Sequence, residues 1–127
     1  MFHLMSKFQL ITRAEQVVAR TQRTLPVEIR ELALKLPVSY QEWPDDEILG
    51  DEFEPDIMGL FVGEPCGVEA GLNNSVPAQI FIFVENIYDE AEGDPVCYDE
   101  EVRLTYLHEL GHYLGWDEDE VEARGLG

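Results

Sequence analysis

Two of the three histidines in the chain, His108 and His112, stand four residues apart, and Glu109 directly follows the first. On a helix, four residues are about one turn, so both rings project from the same face and can bind one cation. This is the geometry of two zinc ligands. In the H-E-x-x-H arrangement, the Glu109 carboxylate can take a proton from a metal-bound water instead of binding the metal. The spacing predicts metal-assisted hydrolysis.

A simpler explanation is that His108 and His112 are surface or capping residues. Near the C-terminus of a helix, a charged imidazolium interacts favourably with the helix dipole. The sequence context favours the metal site, because the motif lies in a helical segment whose other faces carry apolar residues: Val102, Leu104, Leu107, Leu110 and Leu114.

Two histidines do not complete a catalytic zinc site, which usually has three protein ligands and one water. His3 is remote in the sequence, whereas Gly115 permits the chain to reverse shortly after the motif. Among the acids that follow this glycine are Asp117, Glu118 and Asp119. Glu118 stands ten residues after His108, but counting alone does not choose among the three. The same acids also suit the cap and first turn of a short terminal helix.

A long helix must carry the motif. Asp94 is a suitable N-cap, Pro95 suits the first helical position, and Gly115 is a natural helix stop. Upstream, the short apolar runs "IMGLFVG" and "QIFIFVE" are rich in β-branched and aromatic residues, which is typical of buried strands. We therefore expect a small β-sheet next to the motif helix.

The first part of the chain favours helices. Residues 7–23 place apolar side chains at near-helical spacing, and "PVEIRELALK" is a second, shorter helical pattern. In "LKLPVSYQEW" the apolar residues alternate as in a strand, and Pro37 favours a position at the sheet edge. Residues 44–56 and 64–78 read as loops. The predicted fold class is α+β: N-terminal helices, a small mixed β-sheet and a long H-E-x-x-H helix near the C-terminus.

Length and charge limit the partners. At 127 residues the chain suits a single domain, residues 1–127. The net charge is −19 and uneven: six bases and three acids give +3 over residues 1–35, and two bases and 24 acids give −22 over the rest. Such a surface disfavours nucleic acid and anionic membranes as partners, and favours basic peptides or metal cations. The alternative is that the acids only maintain solubility.

The sequence also predicts a compartment. The segment "MFHLMSKFQL" shows no long apolar stretch after a basic patch, and no apolar run approaches about 20 residues, so we expect a cytoplasmic protein without a membrane span. In that setting Cys66 and Cys97 are expected to be free thiols.

The segment "HELGHYLGWDE" resembles the HExxHxxGxx(Asp/Glu) signature of zincin metallopeptidases. The layout of the whole chain is similar to the small bacterial minizincins, through "LPVEIRELALKLPV", "MGLFVG" and "QIFIFV" ahead of the motif helix. This resemblance implies a minimal zincin-like fold. It implies His108, His112 and Glu118 as Zn²⁺ ligands, Glu109 as general base and Gly115 as the turn.

The pattern departs from two larger zincin groups. Metzincins use a third histidine and a methionine turn, whereas here an acid stands at that place and no methionine follows Glu118. Gluzincins carry their third ligand on a later helix, for which the nine residues after Glu118 leave no room. Of the zincin groups considered, the sequence therefore favours the minizincins.

The resulting hypothesis is a zinc-dependent peptidase that acts on a peptide or an unfolded protein. The alternative is a metal-binding or peptide-binding module on the same scaffold without turnover. In zincins generally, the strand before the motif helix is an open edge that pairs with an extended peptide, so the resemblance implies this role for "QIFIFVE". The acidic surroundings favour basic or neutral peptides. The oligomeric state is not predicted.

Overall fold

The computed structural model describes residues 5–50, 52–64, 77–116 and 118–123, and gives only the backbone of Glu118, Val121 and Glu122. Its elements, in chain order, are α1 (Lys7–Thr24), α2 (Val27–Leu34), β1 (Val38–Gln41), α3 (Asp46–Leu49), β2 (Gly59–Val62), β3 (Gln79–Phe83), α4 (Val84–Glu90), α5 (Pro95–Tyr113) and α6 (Glu118–Ala123). The predicted α+β class, with N-terminal helices, a small mixed sheet and a long motif helix, is confirmed.

The three strands pair in the order β1-β3-β2. β1 is parallel to β3, with Val38 opposite Ile80, and β2 is antiparallel to it, with Leu60 opposite Phe81. The edge position predicted for the strand after Pro37 is confirmed, because β1 has a neighbour on one side only among the described residues. Within the part of the chain that the structure describes, β2 forms the other edge.

The expectation that "QIFIFVE" is an open edge strand is wrong. It forms β3, which is paired on both sides. Ile80, Ile82 and Phe83 are fully buried, and near-continuous apolar sequence is typical of a strand that is covered on both faces. Of the two edge strands, β2, the "GLFV" strand, is the one that packs against the motif helix α5.

The motif helix α5 begins and ends as predicted. The Asp94 side chain accepts a hydrogen bond of 3.0 Å from the Val96 amide, and Pro95 occupies the first turn. At the other end, Gly115 has φ +80°. Its amide donates to the His112 carbonyl, and the Trp116 amide donates to the Gly111 carbonyl, both at 3.0 Å. These two bonds form a Schellman motif, in which glycine is favoured because φ is positive.

One stripe of α5 is buried in the core. Tyr98, Val102, Tyr106 and Leu110 follow one another at intervals of four residues and are fully buried, and α5 packs on α1. The Tyr98 hydroxyl donates 2.7 Å to the carbonyl of Leu10 in α1. With this stripe fixed in the core, the opposite side of α5, which carries His108, faces the open edge of the sheet.

Two short helices were not predicted. α3 lies in the acidic stretch predicted as a loop, and the Asp45 side chain caps it by accepting 2.8 Å from the Ile48 amide. α4 begins at Val84, inside the run predicted to be strand. Most of the loop predicted at 64–78 lies outside the described residues.

Among the described residues, no helix combines the length and apolar character that crossing a bilayer requires. Cys97 is an exposed free thiol, as predicted, and its hydrogen bond to Asp94 raises the pKa of the thiol. Cys66 lies outside the described residues.

Candidate metal centre

The two motif histidines converge on one point. Nε2 of His108 and Nε2 of His112 lie 3.1 Å apart, and the two rings are nearly perpendicular, at 86°. Both side chains are half-buried. The spacing of four residues therefore produces the shared face that the sequence predicts.

The donor set fits a zinc ion. In a tetrahedral site, two nitrogens each about 2.0–2.1 Å from the metal lie about 3.3 Å apart, close to the 3.1 Å between His108 and His112. A carboxylate oxygen of Glu109 belongs to the same cluster, in which the potential ligand atoms lie within 4.8 Å of one another. Among the described residues, these three are the His, Cys, Asp and Glu side chains that lie close enough together to hold one metal ion.

Glu109 reaches the edge of the sheet. Its Oε1 accepts a hydrogen bond of 2.9 Å from the backbone amide of Phe61 in β2. Directly before β2, the Met58 carbonyl accepts a hydrogen bond from the Phe83 amide of β3. Backbone groups alternate in direction along an antiparallel strand, so those of Gly59 and Phe61 point away from β3. The Phe61 amide is thus an outward edge donor, and it orients the carboxylate beside the histidines.

Gly59 allows α5 to approach β2 closely. A Cβ atom at this position would lie 2.5 Å from Cγ2 of Thr105 and 3.1 Å from the Phe81 carbonyl oxygen, distances that ordinary packing does not permit. Thr105 lies one turn before Glu109 on α5. The absence of a side chain at residue 59 therefore helps to bring Glu109 within hydrogen-bonding distance of Phe61.

Cavities flank Glu109 on both sides. One of about 360 Å³ is lined by His108, Glu109 and residues of the preceding two turns of α5. Another of about 490 Å³ lies towards His112, and includes Phe53, Leu60 and Phe61. Both share Gly59 and Glu109, so together they form a cleft along the β2 edge.

Two of the three candidates for the third metal ligand lie outside the described side chains. Asp117 and the Glu118 side chain are not described, and Asp119 is exposed in α6. The positive φ of Gly115 turns the chain directly after His112. The assignment of Glu118 stays a prediction.

Sequence reasoning missed two contributors to the site, the Phe61 amide and Gly59. A backbone donor leaves no signal in residue types, whereas a glycine inside the strand run "IMGLFVG" is a recognisable sign of close backbone approach. Two tyrosines that flank the motif have packing roles. Tyr106 is buried and accepts a hydrogen bond from Gln22, and Tyr113 packs edge-on against the ring of Phe61.

The sequence of most of the chain matches a known protein family. Residues 33–127 match the model described as zincin-like metallopeptidase, which is well over half of the chain. The chain belongs to the zincin-like metallopeptidase family. The match includes the sheet and the whole of α5, so the metal that zincins hold, typically zinc, agrees with the donors found here. α1 lies outside the matched part of this zincin-like protein. None of the curated proteins compared with the chain matches it significantly.

Proposed function

We propose that this zincin-like protein is a zinc-dependent peptidase. His108, His112 and Glu118 hold Zn²⁺, and Glu109 is the general base. The observation that carries the proposal is the position of the Glu109 carboxylate, which lies in the cluster with the two ring nitrogens and is bonded to the sheet edge. A metal site that served stability alone would not need a carboxylate held at this point.

A bound metal would act as a Lewis acid that polarises the scissile carbonyl, and would lower the pKa of a water molecule that it binds. The chain itself supplies the proton transfer and the geometry. Glu109 takes a proton from the attacking water and delivers it to the leaving amine. The Phe61 amide keeps the carboxylate in place for both transfers, because a bond to a charged acceptor is stronger than one between neutral groups.

We assign the peptide to the edge of β2. An extended peptide adds to a sheet through edge backbone groups. In β2 the outward groups belong to Gly59 and Phe61, and since the Phe61 amide is bonded to Glu109, the Gly59 amide and the carbonyls of both residues are left for the peptide. A strand added there runs alongside Glu109 and through the cleft. The "QIFIFVE" strand does not offer such an edge, because both of its sides are paired.

We also propose that the chain is a member of the minizincin group, that it acts in the cytoplasm, and that it prefers basic or neutral peptides or unfolded segments. The negative charge of residues 36–127 supports the last of these, since it attracts cationic substrates.

The test is hydrolysis of an unfolded protein by the zinc-loaded protein and by Glu109→Gln, with the bound metal measured in both. Cleavage by the wild type alone supports the proposal. Zinc binding without cleavage in either protein would leave a metal-binding or peptide-binding module. Failure to bind zinc would refute the ligand assignment.

A further inference from the structure

The cavity of about 360 Å³ beside His108 and Glu109 has a largely apolar wall. Four side chains supply most of it: Ile57, Met58, Leu104 and Thr105. Ile57 and Leu104 are half-buried, yet neither belongs to the core cluster formed by the described residues. Their apolar surface therefore borders the cleft instead of stabilising the interior.

One acid stands at the far end of this wall. This acid is Glu101. Leu104, Thr105 and His108 stand three, four and seven residues after it, so all four side chains share one face of α5. Glu101 lies about 10 Å along the helix axis from His108, since each residue advances about 1.5 Å. A side chain that enters beside His108 passes Leu104 before it reaches the Glu101 carboxylate.

The Glu101 side chain is half-buried, and its carboxylate makes no hydrogen bond or ion pair with another described residue. An apolar wall that ends at a carboxylate suits lysine and arginine, which lay an apolar stem along such surfaces and keep a cationic end in a polar place. Building on the peptidase proposed above, we propose that this cavity binds a Lys or Arg side chain of the substrate next to the scissile bond. The stem lies against Leu104, and the charge lies at Glu101.

This inference differs from a general attraction of basic peptides to an acidic protein. Diffuse attraction depends on the total charge of the peptide, wherever its cations stand. A cavity beside Glu109 requires the cation at one position relative to the cleaved bond. Removing the Glu101 charge should therefore affect that position alone. Removing a neighbouring charge outside the cavity should not affect it.

Binding tests the inference without turnover. Labelled seven-residue alanine peptides, with a single central Lys, norleucine or Glu, are titrated into zinc-supplemented Glu109→Gln. We expect the Lys peptide to bind about tenfold more tightly than the norleucine peptide, as for a hydrogen bond to a charged group. Adding Glu101→Gln should abolish this difference. Adding Glu100→Gln, the same charge change at the adjacent exposed residue, should preserve it.

Equal binding of the Lys and norleucine peptides would overturn the inference. So would no detectable binding of the Lys peptide, or a Lys preference that survives Glu101→Gln. Sequencing the products of a cleaved peptide mixture separates this inference from the peptidase proposal. Cleavage without Lys or Arg enriched at one position refutes the cavity assignment and leaves the peptidase intact. Glu101-dependent binding of the Lys peptide without cleavage by the wild type refutes the peptidase proposal and leaves the cavity assignment intact.

Discussion

The backbone amide of Phe61 donates a 2.9 Å hydrogen bond to the Glu109 carboxylate and thereby joins the sheet edge to the motif helix. Phe61 and Glu109 are 48 residues apart in the chain. The bond depends on β2 being an edge strand, because only outward backbone groups are available to a helix at the side of the sheet. On this account the sheet edge serves two purposes: it orients the proposed base, and it receives the peptide.

Removing the Phe61 amide should reduce turnover more than removing its ring. We expect Phe61→Pro to lose about tenfold to a hundredfold in kcat relative to Phe61→Ala, since a hydrogen bond to a charged group contributes about 1.5–3 kcal/mol. Proline is tolerable there because this amide makes no ladder bond with β3. Both variants lose the contact with Tyr113, so steady-state kinetics of the pair isolates the amide. Equal kcat values in folded proteins would refute the orienting role.

A methyl group at residue 59 should separate β2 from α5. We expect Gly59→Ala to destabilise the protein by about 1–3 kcal/mol, the usual cost of overpacking. Thr105→Ser removes the Cγ2 atom that the new Cβ would meet at 2.5 Å. Combining the two should therefore recover part of the loss. The recovery should be partial, because the Phe81 carbonyl oxygen at 3.1 Å is backbone and stays.

Urea unfolding of the two single variants and the double variant, in the absence of zinc, gives the coupling free energy. Strictly additive losses would show that close packing of residue 59 on Thr105 does not limit the approach of the helix.

The proposed third ligand can be separated from its neighbours by zinc affinity. We expect Glu118→Gln to weaken zinc binding by more than about 100-fold, since loss of even an outer-shell partner costs about 10–100-fold. Asp119→Asn should change the affinity little, because Asp119 is exposed. Asp117→Asn is the third variant, and it removes the same charge as the other two. Chelator competition measures all three. A larger loss in Asp117→Asn or Asp119→Asn than in Glu118→Gln would move the ligand to that position.

Alkaline pH should destabilise the fold through Tyr98. Burial raises the pKa of this hydroxyl in the folded protein, and the nearby Asp99 adds to the effect. The unfolded tyrosine has a pKa of about 10. The stability it contributes is therefore complete below pH 10. It is lost as the pH rises further, because the unfolded chain releases a proton that the folded chain retains.

We expect the free energy of unfolding of the wild type to fall above about pH 10. In Tyr98→Phe it should fall less steeply, and the slopes of the two proteins should differ by up to about 1.4 kcal/mol per pH unit. Loss of the bond to the Leu10 carbonyl should also lower the stability of this variant at every pH, by about 0.5–1.5 kcal/mol. Urea unfolding between pH 8 and 11 distinguishes the constant loss of stability from the change in pH dependence. Parallel curves for the two proteins would refute the contribution of Tyr98.

The features predicted correctly from the sequence are local ones. Helix α5 was predictable because its limits are set by side chains and backbone conformations that sequence records: Asp94 as cap, Pro95 in the first turn, and Gly115 at positive φ. The convergence of His108 and His112 follows from helical geometry alone. α3 and α4 were missed because four-residue and seven-residue helices contain too few turns to show a periodic pattern.

The long-range features could not be predicted in this way. Strand order depends on which strands pair, and apolar composition identified β3 as buried without revealing that β2 would cover one side of it. The open edge was assigned to the wrong strand because it was taken from the resemblance to zincins, which implied the strand before the motif helix. The bond between Phe61 and Glu109 depends on this pairing and on a backbone donor, so residue types alone do not reveal it.

The central claim is that Glu109 is the general base of a zinc peptidase, and one comparison tests it most directly. Wild type and Glu109→Gln are loaded with zinc to the same stoichiometry, and the initial rate of hydrolysis of an unfolded protein is measured for each. The account predicts equal zinc affinity and a rate lower by about 10²–10⁴-fold in Glu109→Gln, the usual contribution of general acid–base catalysis. Equal rates in the two zinc-loaded proteins, whether both hydrolyse the substrate or neither does, would contradict it.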